Sequence, residues 1–209
     1  MNDVLARSVF VVAVVCVASV MNRDAMGREL CLVNGGMAQS VIVVSEEPVK
    51  AAQVAACELQ HHLNLITGAD IEITQPGNAP PQMIRFLIGD SSAALKHGFT
   101  SSDFAPQEYA VAFRQRDIVL MGRDAPDTGE VNYQNGTGFP SVFDAQGTMY
   151  AVYDFMERFL GVRWYLPTPL GITYTPRKTV TVEADDVRRA PAITYRWPFY
   201  ECPYPKTLI

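Results

Sequence analysis

The sequence has few basic residues and no cluster of them. Its 209 residues include 17 Lys and Arg against 22 Asp and Glu, so the formal net charge is −5. The longest basic runs are the pairs Arg177-Lys178 and Arg188-Arg189. Nucleic acids and anionic membranes are bound through phosphates that basic side chains neutralise. The composition therefore argues against both as partners.

Histidine is equally scarce, with three residues in the whole chain. His62 follows Glu58 by four residues, one helical turn, but no third ligand and no H-E-x-x-H motif accompanies this pair. We therefore expect no metal and no other cofactor. The pattern instead favours an exposed helix face at His61 and His62.

The motifs of several enzyme classes are also missing. The sequence GDSS after Ile88 lacks the G-x-S-x-G turn of a serine hydrolase, and GRDAPDTG lacks the lysine and the spacing of a phosphate-binding loop. The paired carboxylates Glu46-Glu47 and Asp185-Asp186 are adjacent in sequence, so they cannot flank a glycosidic bond. We predict no catalytic residue, and we expect this chain not to be catalytic by itself.

One long apolar run occurs, at the N-terminus. Residues 9–21 are apolar except for Ser19. Such a run is typical of a signal-peptide core, whereas a bilayer span needs about 20 residues. We predict a signal peptide over residues 1–21, secretion or a periplasmic location, and no membrane contact after cleavage. An uncleaved anchor and a lipoprotein attached through Cys16 are the alternatives.

Removal of the signal peptide would leave three cysteines, Cys31, Cys57 and Cys202. An odd number permits at most one disulfide here, and the sequence does not select the pair. Cys57 falls inside a helical pattern, where a buried thiol behaves as a small hydrophobic group.

The rest of the chain alternates strand and helix patterns. Residues 40–45 are a β-branched run that predicts a strand buried on both faces, and residues 71–74 predict a second strand. Between them, apolar residues at helical spacing predict a helix with Pro48 in its first turn and Gly68 at its end. This β-α-β unit predicts an α/β (α+β) fold, in which helices pack on a mixed β-sheet. The stripe that faces the sheet is Ala52, Ala56, Leu59, Leu63 and Ile66.

Later segments continue this plan. Residues 29–36 predict a short strand that ends in a glycine turn, and residues 83–90 predict another strand, which leads into a short helix. Residues 109–122 predict a hairpin that turns at Gln115-Arg116-Asp117. Residues 123–146 have no sustained period, so we predict a long loop there. Loops of that length are uncommon unless they are functional or mobile.

The densest apolar and aromatic run after the N-terminus is GTMYAVYDFMERFLGVRWYLPTPLG, residues 147–171. Helical spacing predicts a core helix, and VRWYL predicts a strand after it. The face predicted to be buried consists of Met149, Val152, Tyr153, Met156, Phe159 and Leu160. Alternation in that strand places Trp164 on one face and Arg163 and Tyr165 on the other. We expect one face in the core and the other against a neighbouring domain. An exposed Trp-Tyr platform for stacking on a sugar is the alternative.

Several pieces of the sequence resemble a known family. In order they are AAQVAACELQHHLNLITGADIEI, FLIGDSS, GTMYAVYDFMERFLGVRWY and APAITYR, and they cover roughly residues 40–196. Together they resemble the N-terminal α/β domain of a group of secreted bacterial glycoside-hydrolase-like proteins, in which this domain precedes a barrel. A similar accessory domain precedes the catalytic barrel in α-glucuronidases and β-N-acetylhexosaminidases. The long third piece is specific, whereas IGDS alone would be a weak signal.

The resemblance implies an accessory domain over residues 28–190 and the start of a linker over 191–209. In this group the acid/base carboxylates come from a (β/α)₈ barrel of about 250 residues. No family catalytic residue can be carried onto this sequence. We expect either a fragment that lacks the barrel or a free-standing accessory domain.

Two functions remain open. The first is a non-catalytic accessory domain of a polysaccharide-degrading protein, with a catalytic barrel as its partner. The second is a free-standing carbohydrate-binding module. In either case the candidate binding residues, for a sugar or for a neighbouring domain, are Arg163, Trp164, Tyr165 and Trp197. The accessory domain also predicts an exposed apolar patch around Trp164, Tyr165, Trp197 and Phe199.

Overall fold

The computed structural model describes residues 27–166 and 168–193. The predicted signal peptide, Trp197, Phe199 and Cys202 lie outside these residues, and the predicted domain boundaries stay predictions. Within the described part, no helix combines the length and the apolar character needed to cross a membrane. Cys31 and Cys57 are half-buried free thiols.

The described residues form three α-helices and eleven mostly short strands. The helices are α1 (Lys50–Thr67), α2 (Ser92–Lys96) and α3 (Gly147–Phe155), and α3 continues into a π-helical turn (Met156–Leu160). The strands are β1 (Glu29–Asn34), β2 (Met37–Ala38), β3 (Ser40–Val44), β4 (Ile73–Thr74), β5 (Ile84–Ile88), β6 (Tyr109–Arg114), β7 (Asp117–Gly122), β8 (Arg163–Trp164), β9 (Ile172–Thr173), β10 (Val180–Glu183) and β11 (Val187–Arg189).

A six-stranded mixed sheet lies at the centre, in the order β11-β6-β7-β5-β3-β4. Strands β4, β3, β5 and β7 are parallel, whereas β6 pairs antiparallel with both β7 and β11. A smaller sheet, β10-β1-β2, and the two-stranded ribbon β8-β9 complete the described fold. The predicted α/β fold, with helices on a mixed sheet, is confirmed.

Both faces of the central sheet are covered. Ile42 of β3 belongs to the apolar cluster beneath α1 and α3, while its neighbours Val41 and Val43 belong to a second cluster with α2 and Phe104. Successive strand residues point to opposite faces, so one strand supplies both clusters. The prediction of a strand buried on both faces is confirmed for residues 40–43, whereas Val44 and Ser45 are partly exposed.

Helix α1 buries the predicted stripe and ends as predicted. All five stripe residues are buried, and Gly68 takes the left-handed conformation (φ 74°) while its N–H donates to the Asn64 carbonyl. The prediction for Pro48 is wrong, because the helix begins at Lys50, after the extended Val49. The Lys50 N–H donates instead to the Asp127 carbonyl at 2.7 Å, so the long loop fixes where the helix starts.

Helix α3 begins where two glycines bring it against the end of β7. A Cβ at Gly147 would lie 2.5 Å from the Arg123 backbone nitrogen, and one at Gly122 would lie 2.8 Å from Gly147. The absence of both side chains allows this approach. The Thr148 N–H then donates to Asp124 Oδ1 at 2.9 Å, which anchors the first turn of the helix.

The buried face of α3 differs in part from the predicted one. Val152, Met156 and Leu160 are buried as predicted, but Met149, Tyr153 and Phe159 are only partly buried. Ala151 and Phe155 take up the remaining core positions. The Phe155 ring contacts Phe86 of β5 edge to face, with centroids 5.3 Å apart, which turns the helix toward that strand.

Two predicted boundaries need correction. The hairpin turns at Gln115 and Arg116, and Asp117 is already the first residue of β7, where Arg85 binds its buried carboxylate through two hydrogen bonds. The predicted strand VRWYL is regular only at Arg163 and Trp164, because its partner β9 is equally short. Residues 123–146 form a loop as predicted, crossed by isolated bridges.

Candidate functional site

Four parts of the chain line an open cleft of about 830 Å³. They are α1, the loop 123–146, α3, and the segment that contains β8 and β9. We call it the aromatic cleft because six aromatic side chains line it. These are Tyr133, Phe139, Tyr153, Trp164, Tyr165 and Tyr174.

Glu58 of α1 provides the carboxylate of the aromatic cleft. Tyr133 Oη, from the long loop, donates a hydrogen bond to Glu58 Oε1 at 2.8 Å. Burial, then the Glu58 charge and hydrogen bonding to Glu58, raise the pKa of both the Tyr133 and the Tyr153 hydroxyls. Both phenols therefore remain protonated donors at neutral pH.

His62 lies one turn after Glu58 and is 2% exposed. Its Nδ1 is 2.9 Å from the Glu58 carbonyl oxygen and 3.5 Å from Glu58 Oε2. Because both neighbours are acceptors, Nδ1 carries a proton and donates. Burial lowers the pKa of His62 despite the adjacent Glu58, so the ring is neutral at pH 7 and Nε2 is an acceptor. In the described part of the chain this buried Nε2 has no hydrogen-bond partner.

The predicted exposed helix face is correct for His61 and wrong for His62. The ring of Trp164 lies against His62 with centroids 5.3 Å apart, edge to face. Trp164 comes from β8, about a hundred residues later in the chain. The helical pattern around His62 does not indicate that Trp164 packs against it.

The structure places the predicted binding residues in different environments. Trp164 is half-buried and contacts Tyr153 as well as His62, with the Tyr153 centroid 5.2 Å away. Tyr165 also lines the aromatic cleft and is 73% exposed. Arg163 is not a lining residue, since its guanidinium donates to the backbone carbonyls of Glu157 and Val162. Trp197 lies outside the described residues.

The sequence indicates little of the polar centre of the aromatic cleft. Its patterns present Glu58 only as half of a possible metal pair and Tyr153 as a core residue, and no motif marks Tyr133. Among the described residues, no group of three or more His, Cys, Asp and Glu side chains could hold a metal ion. Tyr133 could have been noticed as a tyrosine in a long loop, because binding residues concentrate in such loops.

The described lining residues of the aromatic cleft are suited to binding. Most glycosidases use two carboxyl groups about 5–5.5 or 6.5–9.5 Å apart. Of the described lining residues, Glu58 alone has a carboxyl group, and none is Lys or Arg. Stacking surfaces, tyrosine hydroxyls and acceptor atoms remain, and these are groups that hold a polar ligand in place.

A partly buried carboxylate also lies outside the aromatic cleft, at the C-terminal end of β7. Asp124 accepts hydrogen bonds from the N–H and the hydroxyl of Thr148. Burial raises the pKa of Asp124 to about 6, although the bonds from Thr148 oppose the rise. Asp124 thereby caps the N-terminus of α3, and its two hydrogen bonds to Thr148 indicate a structural role.

Comparisons with known proteins concern the fold. No family model matches the sequence, and no curated protein matches it. A solved family GH115 4-O-methyl-α-glucuronidase, with specificity for decorated arabinogalactans, has a similar fold. Its TM-score is 0.52 at 16% identity, over 80% of this chain and 19% of that chain. This chain thus spans about a fifth of that protein's length.

Two Streptomyces enzymes are more distant. A mutant β-hexosaminidase from Streptomyces plicatus has a TM-score of 0.45 at 12% identity, over 81% of this chain and 25% of that chain. A family GH20 β-N-acetylhexosaminidase from Streptomyces coelicolor A3(2) has a TM-score of 0.43 at 13% identity, over 80% and 26%. The match to the α-glucuronidase, with its TM-score of 0.52, shows that the fold described above resembles part of a glycoside hydrolase chain.

Proposed function

We propose that this chain is the non-catalytic N-terminal accessory domain of a secreted, polysaccharide-degrading, glycoside-hydrolase-like protein. The observation that carries the proposal is the fold: 80% of this chain matches a region that makes up only 19% of an α-glucuronidase. The motifs between residues 40 and 196 point independently to the same group of proteins. A match to so small a share of an enzyme chain supports an accessory role.

The chemistry of the aromatic cleft supports a non-catalytic role. Glu58 has no second carboxylate beside it among the described lining residues, so an acid/base pair cannot be assembled there. One carboxylate oxygen of Glu58 also accepts a hydrogen bond from the Tyr133 hydroxyl. A catalytic acid would need a free path to the glycosidic oxygen.

The partner in this proposal is a catalytic barrel in the same polypeptide. The segment between β8 and β9 exposes apolar side chains, with Leu166 53% and Leu170 96% exposed. Exposed apolar side chains that cluster in one place mark surfaces covered by another domain. We therefore offer the tip at Leu170 as the contact for the barrel. Leu166 and Tyr165, which precede it in the chain, also line the aromatic cleft.

The proposal is tested on the native protein. An antibody raised against this chain would capture the protein from the medium or periplasm of its source cells, and mass spectrometry would sequence it. We expect peptides from a barrel domain in the same polypeptide, and a mature N-terminus after the predicted signal peptide. A native protein without a catalytic domain would contradict the proposal.

A further inference from the structure

We propose that the aromatic cleft binds a neutral saccharide, and that it discriminates against uronic acids. The inference deepens the proposed function and rests on it only for the expectation that the ligand belongs to a polysaccharide. The shape, the unpaired acceptor and the charge of the cleft each support it.

The walls of the cleft provide flat apolar surfaces at a suitable scale. Its volume of about 830 Å³ lies in the range of ligand pockets, roughly 300–1,000 Å³. Tyr133 and Phe139 are stacked, with centroids 6.1 Å apart and 18° between their planes. On the other side, Trp164 and the exposed Tyr165 offer further ring surface. The C–H faces of a pyranose ring are apolar and can pack on such aromatic surfaces.

The polar groups of the cleft include unused acceptors. His62 Nε2 is buried and unpaired in the described structure, and an unpaired buried acceptor costs free energy. The Glu58 carboxylate has about four lone-pair sites, of which tyrosine hydroxyls use only some. Saccharides are rich in hydroxyl donors, so they match this surplus. The Trp164 ring contacts His62 edge to face and also lines the cleft, so a hydroxyl that binds at His62 Nε2 is expected to alter the indole environment.

The charge of the cleft selects among saccharides. Recognition of a uronic acid carboxylate calls for Arg or Lys, and neither occurs among the described lining residues. Glu58 would instead repel it, and the chain as a whole has a net charge of −5. A neutral hexose, pentose or N-acetylhexosamine avoids this cost.

The test is isothermal titration calorimetry on the full chain with four probes. They are cellohexaose, xylohexaose, chitohexaose and an oligogalacturonate. We expect heat from at least one neutral probe and none from the oligogalacturonate. The fluorescence of the indoles should change with the same midpoint, because Trp164 lines the cleft.

Two exposed aromatic residues give a matched pair of variants. Tyr165 lines the cleft and is 73% exposed, whereas Phe143 is 71% exposed and is not a lining residue. Tyr165→Ala should weaken binding about tenfold through lost stacking, and Phe143→Ala should leave the Kd unchanged. Neither residue is in the core, so both variants should fold. Glu58→Gln should reduce the discrimination against the oligogalacturonate, because it removes the repelling charge.

Three results would overturn the inference. They are no heat from any neutral probe, tighter binding of the oligogalacturonate than of the neutral probes, and equal losses in Tyr165→Ala and Phe143→Ala. The first result is also the one expected if a protein domain fills the cleft. Failure of the saccharide titration does not change which domains mass spectrometry finds in the native polypeptide. The two experiments therefore distinguish failure of this inference from failure of the proposed function. Conversely, saccharide binding by a native protein without a catalytic domain would support the cleft and refute the accessory role.

Discussion

The hydroxyl of Tyr133 donates to Glu58 Oε1 at 2.8 Å and thereby ties the long loop 123–146 to helix α1. The loop makes a second connection nearby, where the Gln53 amide donates to the Gly129 carbonyl and accepts from the Val131 N–H. A loop without regular structure is thus held in place at the wall of the aromatic cleft. The position of the loop therefore depends on a few individual hydrogen bonds to side chains of α1.

Removal of the Tyr133 hydroxyl should loosen this wall. Tyr133→Phe removes the hydrogen bond to Glu58 Oε1, and we expect a loss of about 1.5–3 kcal/mol in the free energy of unfolding, as for a hydrogen bond to a charged group. Urea denaturation measures it. Tyr165→Phe is the control, since its exposed hydroxyl should contribute less than about 0.5 kcal/mol. Equal effects in the two variants would contradict the role of Tyr133.

The protonation of His62 can be followed directly by NMR. Burial lowers its pKa, so the imidazole should titrate with a midpoint below the ordinary value of 6.5. The nitrogen chemical shifts should identify Nδ1 as the protonated nitrogen of the neutral ring. Because the unfolded chain binds this proton more readily, His62 contributes stability that is present above pH 6.5 and lost as the pH falls. A midpoint above 6.5 would refute the burial argument.

Asp124 should have the opposite dependence on pH. Its pKa is raised from 3.8 to about 6 in the folded protein, so the folded state binds this proton more tightly than the unfolded state. The stability due to the group is therefore present below pH 3.8 and lost as the pH rises to 6. Relative to Asp124→Asn, the wild type should lose up to about 3 kcal/mol across this window.

The comparison with Asp124→Asn isolates one carboxyl from all others, because both proteins share the remaining titrations. Denaturation at a series of pH values between 3.5 and 7, a range set by this pKa, would measure the difference. A constant difference between the two proteins would show that Asp124 titrates as it does in the unfolded chain.

A methyl group at Gly147 should disrupt the junction of α3 with β7. Its Cβ would meet the Arg123 nitrogen at 2.5 Å and the Glu108 oxygen at 2.7 Å, and backbone atoms cannot move aside as a side chain can. We expect Gly147→Ala to lower the free energy of unfolding by about 1–3 kcal/mol or more. Gly77→Ala is the control, because nothing lies within 4 Å of its Cβ. Similar melting temperatures for the two variants would contradict this packing.

The sequence predicts the local elements of the fold well, because their cause is local. The stripe from Ala52 to Ile66 and the β-branched run 40–45 are patterns set by the periods of helix and strand. The predicted start of α1 is wrong because Asp127, far along the chain, provides the acceptor for the Lys50 N–H. The burial of Phe155 was missed because it depends on where Phe86 lies.

The candidate site was predicted less completely for the same reason. Trp164 and Tyr165 were identified from a short aromatic run, and both line the aromatic cleft. Tyr133 and His62 depend on contacts between a loop, a helix and a distant strand, which no period in the sequence records. Arg163 was included because it adjoins Trp164, but its contacts turn it to the backbone instead.

The most direct test of a non-catalytic role is an assay of the purified full chain on a panel of aryl glycosides. We predict no release of phenol above the level given by the Glu58→Gln variant, because Glu58 has no second carboxylate among the described lining residues. Turnover by the wild type that disappears in Glu58→Gln would contradict the account.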